Sequence, residues 1–195
     1  MSKELLFRSS FFIMKGKIMI SSPNLLSDMI FFKSIILIVD ETEDGFTGFI
    51  INRCSDLYIT KNLDILKDIK IDLYYGGPVS NDYYYILKSD NDHYKSIKID
   101  KNLYWGDDLE YLFNQIENGL IDLEDVIFLQ GYSGWDLNQL DDEIQNKSWI
   151  IIDDTNLISE IIFDSKNKKS WNSIIKSLGG KYKIWSNAPD DITLN

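Results

Sequence analysis

Cysteine is nearly absent from this 195-residue chain. Cys54 stands alone, so no internal disulfide can form, which fits a reducing cytoplasm. Histidine is as scarce. His93 is the only one, and its polar neighbours Ser89–Asp92 suggest an exposed loop. With one His and one Cys, a zinc site lacks its usual ligands. The three prolines punctuate loops, and no Pro-rich linker divides the chain. No run approaches the ~18 apolar residues that a membrane span needs; Ile35–Val39 has the length of a buried strand. The segment from Met1 to Met14 holds apolar clusters, but Arg8, Ser9 and Ser10 break them and no small-x-small cleavage site follows, so no signal peptide is expected. Positive charge is in deficit. Twenty Lys and Arg face 31 Asp and Glu, a formal charge of −11 with a pI near 4.5. Such a surface disfavours phosphate backbones.

Enzyme templates are missing too. Gly131-Tyr132-Ser133-Gly134 is not the Gly-x-Ser-x-Gly nucleophile elbow. There is no Walker A or dinucleotide fingerprint. Adjacent aspartates such as Asp141-Asp142 and Asp153-Asp154 diverge on a helix or strand, so one Mg²⁺ ion is hard for both to reach. No metal and no cofactor are expected.

What is present is a folding sequence. Hydrophobic residues make up 44% and aromatics 13%, values of a globular chain. The length favours one domain, and a chain of this size can bury roughly 70% of its unfolded surface. Strand-like runs are Lys17–Ser21, Ser34–Asp40, Gly48–Asn52, Leu73–Tyr75, Tyr83–Lys88, Leu103–Trp105, Val126–Gln130 and Trp149–Ile152. Glu43-Asp44-Gly45 reads as a hairpin turn. Leu109, Leu112, Phe113 and Ile116 recur at i, i+3, i+4 and i+7, with Asp107 and Glu110 as a capping-box-like start and Gly119 as a stop. Trp171, Ile174, Ile175 and Leu178 repeat that pattern. Shorter helices are suggested by Leu157, Ile158, Ile161 and Ile162 and by Leu63, Leu66 and Ile69. Runs of strands broken by single helices give an α+β class with a mixed, mainly antiparallel sheet.

Four blocks carry a resemblance. Gly16-Lys17 precedes Ile20-Ser21-Ser22-Pro23. Gly45-Phe46-Thr47-Gly48 leads to Asn52-Arg53. Tyr75-Gly76-Gly77-Pro78-Val79 forms a turn. Gly131-Tyr132-Ser133-Gly134-Trp135 is followed by Gln139-Leu140, Glu143 and Trp149. In this order they resemble the AlgH/YqgE family of small bacterial proteins, from about Gly16 onward. The resemblance implies a bifurcated sheet curled into a pseudo-barrel with flanking helices. It assigns residues 16–195 to one AlgH/YqgE-like domain and residues 1–15 to an N-terminal extension. Family members are often labelled transcriptional regulators, but no molecular mechanism comes with the label. Two positions depart from the family pattern: Cys54 replaces a proline, and Ser133 replaces an alanine. A position that relatives fill with alanine does not hold an essential nucleophile.

The candidate binding surface is the place where Asn52, Arg53, Gly76, Gly77, Pro78, Gly131, Tyr132, Gly134, Trp135, Gln139 and Glu143 would converge. Each has a structural reading beside the functional one. The Gly131–Gly134 loop could cradle an anion at a helix N-terminus, or could be a tight strand-to-helix turn with Asp136 as N-cap and Gln139 reaching back to it. Asp136, Gln139 and Glu143 share a helical stripe opposite Leu137, Leu140 and Ile144. Glu143 beside aromatics could serve as acid or base, or could hold the loop by hydrogen bonds. Arg53 could clamp an anion, or pair with Glu143 or an aspartate. Gly76–Pro78 could line a pocket, or turn the chain out of a strand. The run from Lys166 to Trp185 has six lysines and no acid. It could be a partner or nucleic-acid patch, or could complement the acidic body.

These features point to a cytoplasmic, non-enzymatic binding or regulatory module with an unidentified protein or small-ligand partner. The rival reading is an enzyme or small-ligand sensor using Glu143 and Arg53 in a cleft. Direct nucleic-acid binding through Lys166–Lys183 ranks third, because of the net charge and the lack of a nucleic-acid motif.

Overall fold

The computed structural model describes residues 13–25, 27–61, 69–154, 158, 161–163 and 170–187. Ten strands form one sheet: β1 (Ile18–Ser21), β2 (Ile35–Glu41), β3 (Gly45–Ile50), β4 (Cys54–Lys61), β5 (Ile69–Tyr75), β6 (Val79–Lys88), β7 (Ile97–Asp100), β8 (Leu103–Gly106), β9 (Val126–Asp136) and β10 (Trp149–Ile152). Among the described residues, α1 (Leu109–Glu117), α2 (Leu137–Gln145) and α3 (Trp171–Ser177) accompany them, and residues 158 and 161–163 are also helical. The sheet runs β10-β1-β2-β3-β9-β6-β8-β7, with β4 and β5 branching from β9. The β5–β9 pair is parallel and the other pairs are antiparallel. The architecture is thus α+β, with a mainly antiparallel, curled sheet.

The fork lies on β9. One edge of this strand pairs with β5 through Phe128–Gln130 and then with β3 through Ser133–Asp136. The other edge follows β6. Gly131 makes the transition. Its φ is +71°, the left-handed region that glycine enters without a Cβ penalty. Up to this residue Ile127 and Leu129 contribute to the inner core, while Val126 and Phe128 meet α1. Beyond it Tyr132 points inward, and Trp135 packs on the opposite face. The strand therefore changes parity at Gly131, as a bulge requires.

The inner face carries one large core. It joins Ile18, Leu37, Phe49, Ile86, Ile99, Leu103 and Leu129 from across the sheet to Trp171, Ile174 and Ile175 of α3. Curling brings the sheet's extremes together: a Cβ on Gly16, just before β1, would lie 3.8 Å from Ile99 of β7. Trp171 Nε1 donates to Ser21 O at 2.7 Å, which anchors α3 against β1. On the outer face α1 covers Tyr85, Leu87 and Phe128 with Leu112, Phe113 and Ile116. Further along, α2 covers Met19, Ile36 and Ile50 with Leu140.

Several local expectations change. Gly131–Gly134 is strand, not a strand-to-helix turn, because β9 runs on to Asp136. β4 and β7 are additional strands. Ile69 opens β5, so it does not continue a helix; Leu63 and Leu66 lie outside the described residues. The cap of α1 is Asp108, whose side chain accepts from Tyr111 N, rather than Asp107. Asp136 does begin α2, but it makes no side-chain cap bond. His93 is buried, only 7% exposed. Its Nε2 lies 2.8 Å from Ser89 Oγ, and its ring meets Tyr104 edge-on.

Candidate functional site

The sequence-predicted residues fall on two sides of the sheet and along the seam between them. At the seam, the Gly76-Gly77-Pro78 turn joins β5 to β6 and lies directly against β9. Gly76 N donates to Gln130 O at 2.8 Å, and Gly76 O accepts from Ile50 N at 2.8 Å. One glycine backbone thus stitches both branches of the fork. Ser133 is fully buried and its Oγ donates to the same Gly76 O at 3.3 Å. The contact leaves no room for side chains. A Cβ on Gly76 would sit 2.2 Å from Gly131 O, and one on Gly131 would sit 2.5 Å from Gly77 O. These glycines are required by backbone packing. Pro78 and Gly134 are exposed.

On the outer face, α2 and β9 place Glu143 between two tryptophans. Its Oε2 accepts from Trp135 Nε1 at 3.0 Å and from Trp149 Nε1 at 2.6 Å. Its Oε1 accepts from Gln139 Nε2 at 2.9 Å, the i to i+4 spacing of neighbours on a helix. Phe31 stacks on Trp135 with centroids 5.6 Å apart and meets Trp149 edge-on at 5.5 Å. Both tryptophans are buried. The carboxylate thus has three N–H donors in place, two of them indoles. Gln139 turns toward Glu143 and does not reach back to Asp136.

Arg53 lies on this same side, but among the described residues it pairs with neither Glu143 nor an aspartate by a direct bond. Its Nη2 donates to Phe32 O at 3.2 Å, and its guanidinium lies 5.7 Å from the Tyr75 ring centroid. Burial pulls the Arg53 pKa down, while Tyr75 and Asp28 push it back. A carbonyl is an adequate acceptor here, and Glu143 is beyond its bonding partners. Asn52 is also committed. Its Oδ1 accepts from Ile35 N at 2.8 Å and its Nδ2 donates to Lys33 O at 2.9 Å, which caps the start of β2.

Tyr132 lies on the inner side. It meets Tyr84 edge-on at 5.9 Å, and Tyr84 in turn contacts Phe49 and Trp105. Burial raises the Tyr84 pKa, and a hydrogen bond with Ser80 opposes this.

A cleft lies elsewhere, and sequence reasoning missed most of it. A cleft of about 630 Å³ opens beside the branching hairpin β4–β5. Its apolar walls include Ile35, Ile51, Ile127 and Phe163; Lys70, Asp72 and Tyr74 project from one strand of β5. Asn52 alone of the sequence-predicted site belongs to its lining. The signal was the alternation Lys70, Asp72, Tyr74 against Ile69, Ile71, Leu73, which reads as a two-faced strand. Among the described residues, no group of three His, Cys, Asp or Glu side chains could hold a metal ion. No described helix is long and apolar enough to cross a membrane. Of the Lys166–Lys183 patch, Lys176 and Lys183 are exposed; Lys166, Lys168 and Lys169 lie outside the described residues.

Comparison with known proteins matches this architecture. The chain is similar to a UPF0301 protein of Cytophaga hutchinsonii, 37% identical over 183 residues that cover 93% of this chain and 98% of the relative. A UPF0301 protein of Bacteroides thetaiotaomicron is 34% identical over 185 residues, covering 93% and 91%. The fold is similar to the solution structure of AlgH from Pseudomonas aeruginosa, with a TM-score of 0.66 at 23% identity over 93% of this chain and 97% of that one. It is likewise similar to a crystal structure from Corynebacterium diphtheriae, with a TM-score of 0.69 at 17% identity over 95% and 99%. At those identities the structures speak for fold alone. The model of the AlgH-like family matches residues 18–183, and with the curated relatives this shows that the chain belongs to the AlgH-like family.

Proposed function

We propose that the protein is a non-enzymatic binding module that takes a small molecule in the β4–β5 cleft and acts through the occupancy of that site. The observation that carries this reading is the cleft itself. At about 630 Å³ it falls in the ~300–1,000 Å³ range of small-ligand sites. Apolar walls with a few charged groups at one side supply burial and orientation together. The engagement of Glu143 by Trp135, Trp149 and Gln139 supports a non-catalytic role, since it occupies the one carboxylate that the sequence motif offered for proton transfer. The net charge of −11 disfavours direct contact with nucleic acid, and the single cysteine, Cys54, fits a place in the cytoplasm.

The test is a metabolite-library screen by thermal shift, followed by methyl NMR of isoleucine-labelled protein. A true ligand moves the methyls of Ile35, Ile51 and Ile127 and loses affinity at least tenfold in Ile127→Trp, which fills the cleft. Binders that shift only resonances remote from the cleft would overturn the reading. Turnover of a ligand that is abolished by Glu143→Gln, with folding intact, would favour the enzymatic rival.

A further inference from the structure

Resting on the cleft reading, we infer that the ligand is an amphipathic amine: an apolar chain or ring that bears a cationic nitrogen. The apolar part follows from the walls. Ile35, Ile51, Ile127 and Phe163 line the cleft, and they belong to the inner hydrophobic core or pack against it, so a hydrocarbon group entering there extends an existing apolar surface. The cation follows from which polar groups remain available. Asn52 spends both ends of its amide on Ile35 N and Lys33 O. Ser170 Oγ caps α3 by accepting from Ser173 N. Lys70, the one cation among the described lining residues, holds its ammonium 3.8 Å from the Tyr58 ring centroid, where the π face favours it.

Two carboxylates are left among the described lining residues. Asp72 follows Lys70 on the same face of β5, and Glu124 stands in the short turn that precedes β9. Both are exposed, and neither forms an ion pair or side-chain hydrogen bond among the described residues. They sit at the border of an apolar cleft on a molecule of charge −11. The local and the overall field therefore agree in favouring a cation over an anion. An anionic amphiphile would meet these carboxylates with only Lys70, among the described lining residues, in its favour.

Three eight-carbon probes of matched chain, below their aggregation limits, test this on the full-length protein: octylammonium, octanol and octanoate. Affinities are read from methyl NMR titrations at pH 7.5 and low salt. Octylammonium is expected to bind at least fivefold more tightly than octanoate, with octanol between them, and all three should shift Ile51 and Ile127. In Asp72→Asn/Glu124→Gln, two exposed substitutions that leave the core alone, the ratio should fall below twofold while octanol is unchanged. Octanoate binding as tightly as octylammonium, or a preference that survives the double variant, overturns the amine inference. If the three probes bind the cleft without charge preference, the cleft reading stands and the amine inference falls. If none shifts the cleft methyls, both fall.

Discussion

The indole N–H of Trp149 meets Glu143 Oε2 at 2.6 Å. This bond joins the first residue of β10 to the second turn of α2, and the same oxygen receives Trp135 from β9. Glu143→Ala leaves two buried indole donors without an acceptor. A hydrogen bond to a charged group contributes about 1.5–3 kcal/mol, so a loss on the order of 3 kcal/mol is expected in urea unfolding. Tryptophan emission should shift as these bonds are lost. Glu143→Gln keeps one carbonyl oxygen and is expected to lose less. Equal stability of the alanine variant and wild type would contradict this expectation.

Ser133→Ala is expected to be mild. Its hydroxyl bond to Gly76 O is long at 3.3 Å, and alanine fits the same buried position. The cost should be about 1 kcal/mol or less, near that of one ordinary hydrogen bond. Labelling of Ser133 by a serine-directed phosphonate would oppose this assignment.

Gly131→Ala should be severe by comparison. The backbone has φ +71°, and the added carbon would sit 2.5 Å from Gly77 O. Left-handed backbone alone costs on the order of 1–3 kcal/mol for a residue with a side chain, and the collision adds to it. Poor soluble yield or a large fall in Tm is expected. A variant as stable as wild type would show that the fork can relax.

His93 gives the fold an acid sensitivity. Burial lowers its pKa below 6.5, and Asp92 only partly offsets this. The unfolded chain then binds a proton more readily than the folded one between the two values. Stability is therefore complete above about pH 6.5 and declines as pH falls toward the folded value, below which this contribution stops changing. In His93→Asn that segment of the pH–stability profile should flatten. A profile unchanged by the substitution would assign the slope to other groups.

Binding to duplex DNA is expected to be weaker than the ~10⁻⁴–10⁻⁶ M of ordinary non-specific binders. A salt titration with a mixed duplex and a single strand checks this. Micromolar binding that falls steeply with salt, and that is lost when Lys176 and Lys183 become Glu, would instead make the C-terminal lysines a nucleic-acid surface.

The amphipathic helices were legible because their period is local. Leu109 to Ile116 and Trp171 to Ile175 state one face each, and both faces are buried as α1 and α3. The Glu143 neighbourhood was legible as a stripe beside aromatics, although its partners came from Trp135 and Trp149, set by tertiary packing. β4 was hidden because Cys54–Lys61 is a branch strand with exposed Leu57 and Tyr58, so its pattern mimics a loop. β9 was cut short because glycines usually break strands, whereas here Gly131 bends one that continues. The cleft was the least legible feature. Its walls come from β2, the link from β3 into β4, β5, β9 and the segment around Phe163, and no single window of sequence contains them.

The strand order also constrains how the molecule is made. Ile20 pairs with Ile150 and with Ile35, so β1 sits between a neighbour close behind it and one that is synthesised far later. During translation at ~5–20 residues per second, one edge of β1 waits several seconds for β10. Until then its backbone is an open template for another chain. Pairings of such long sequence separation form slowly, so this edge of β1 is among the last parts of the sheet to close.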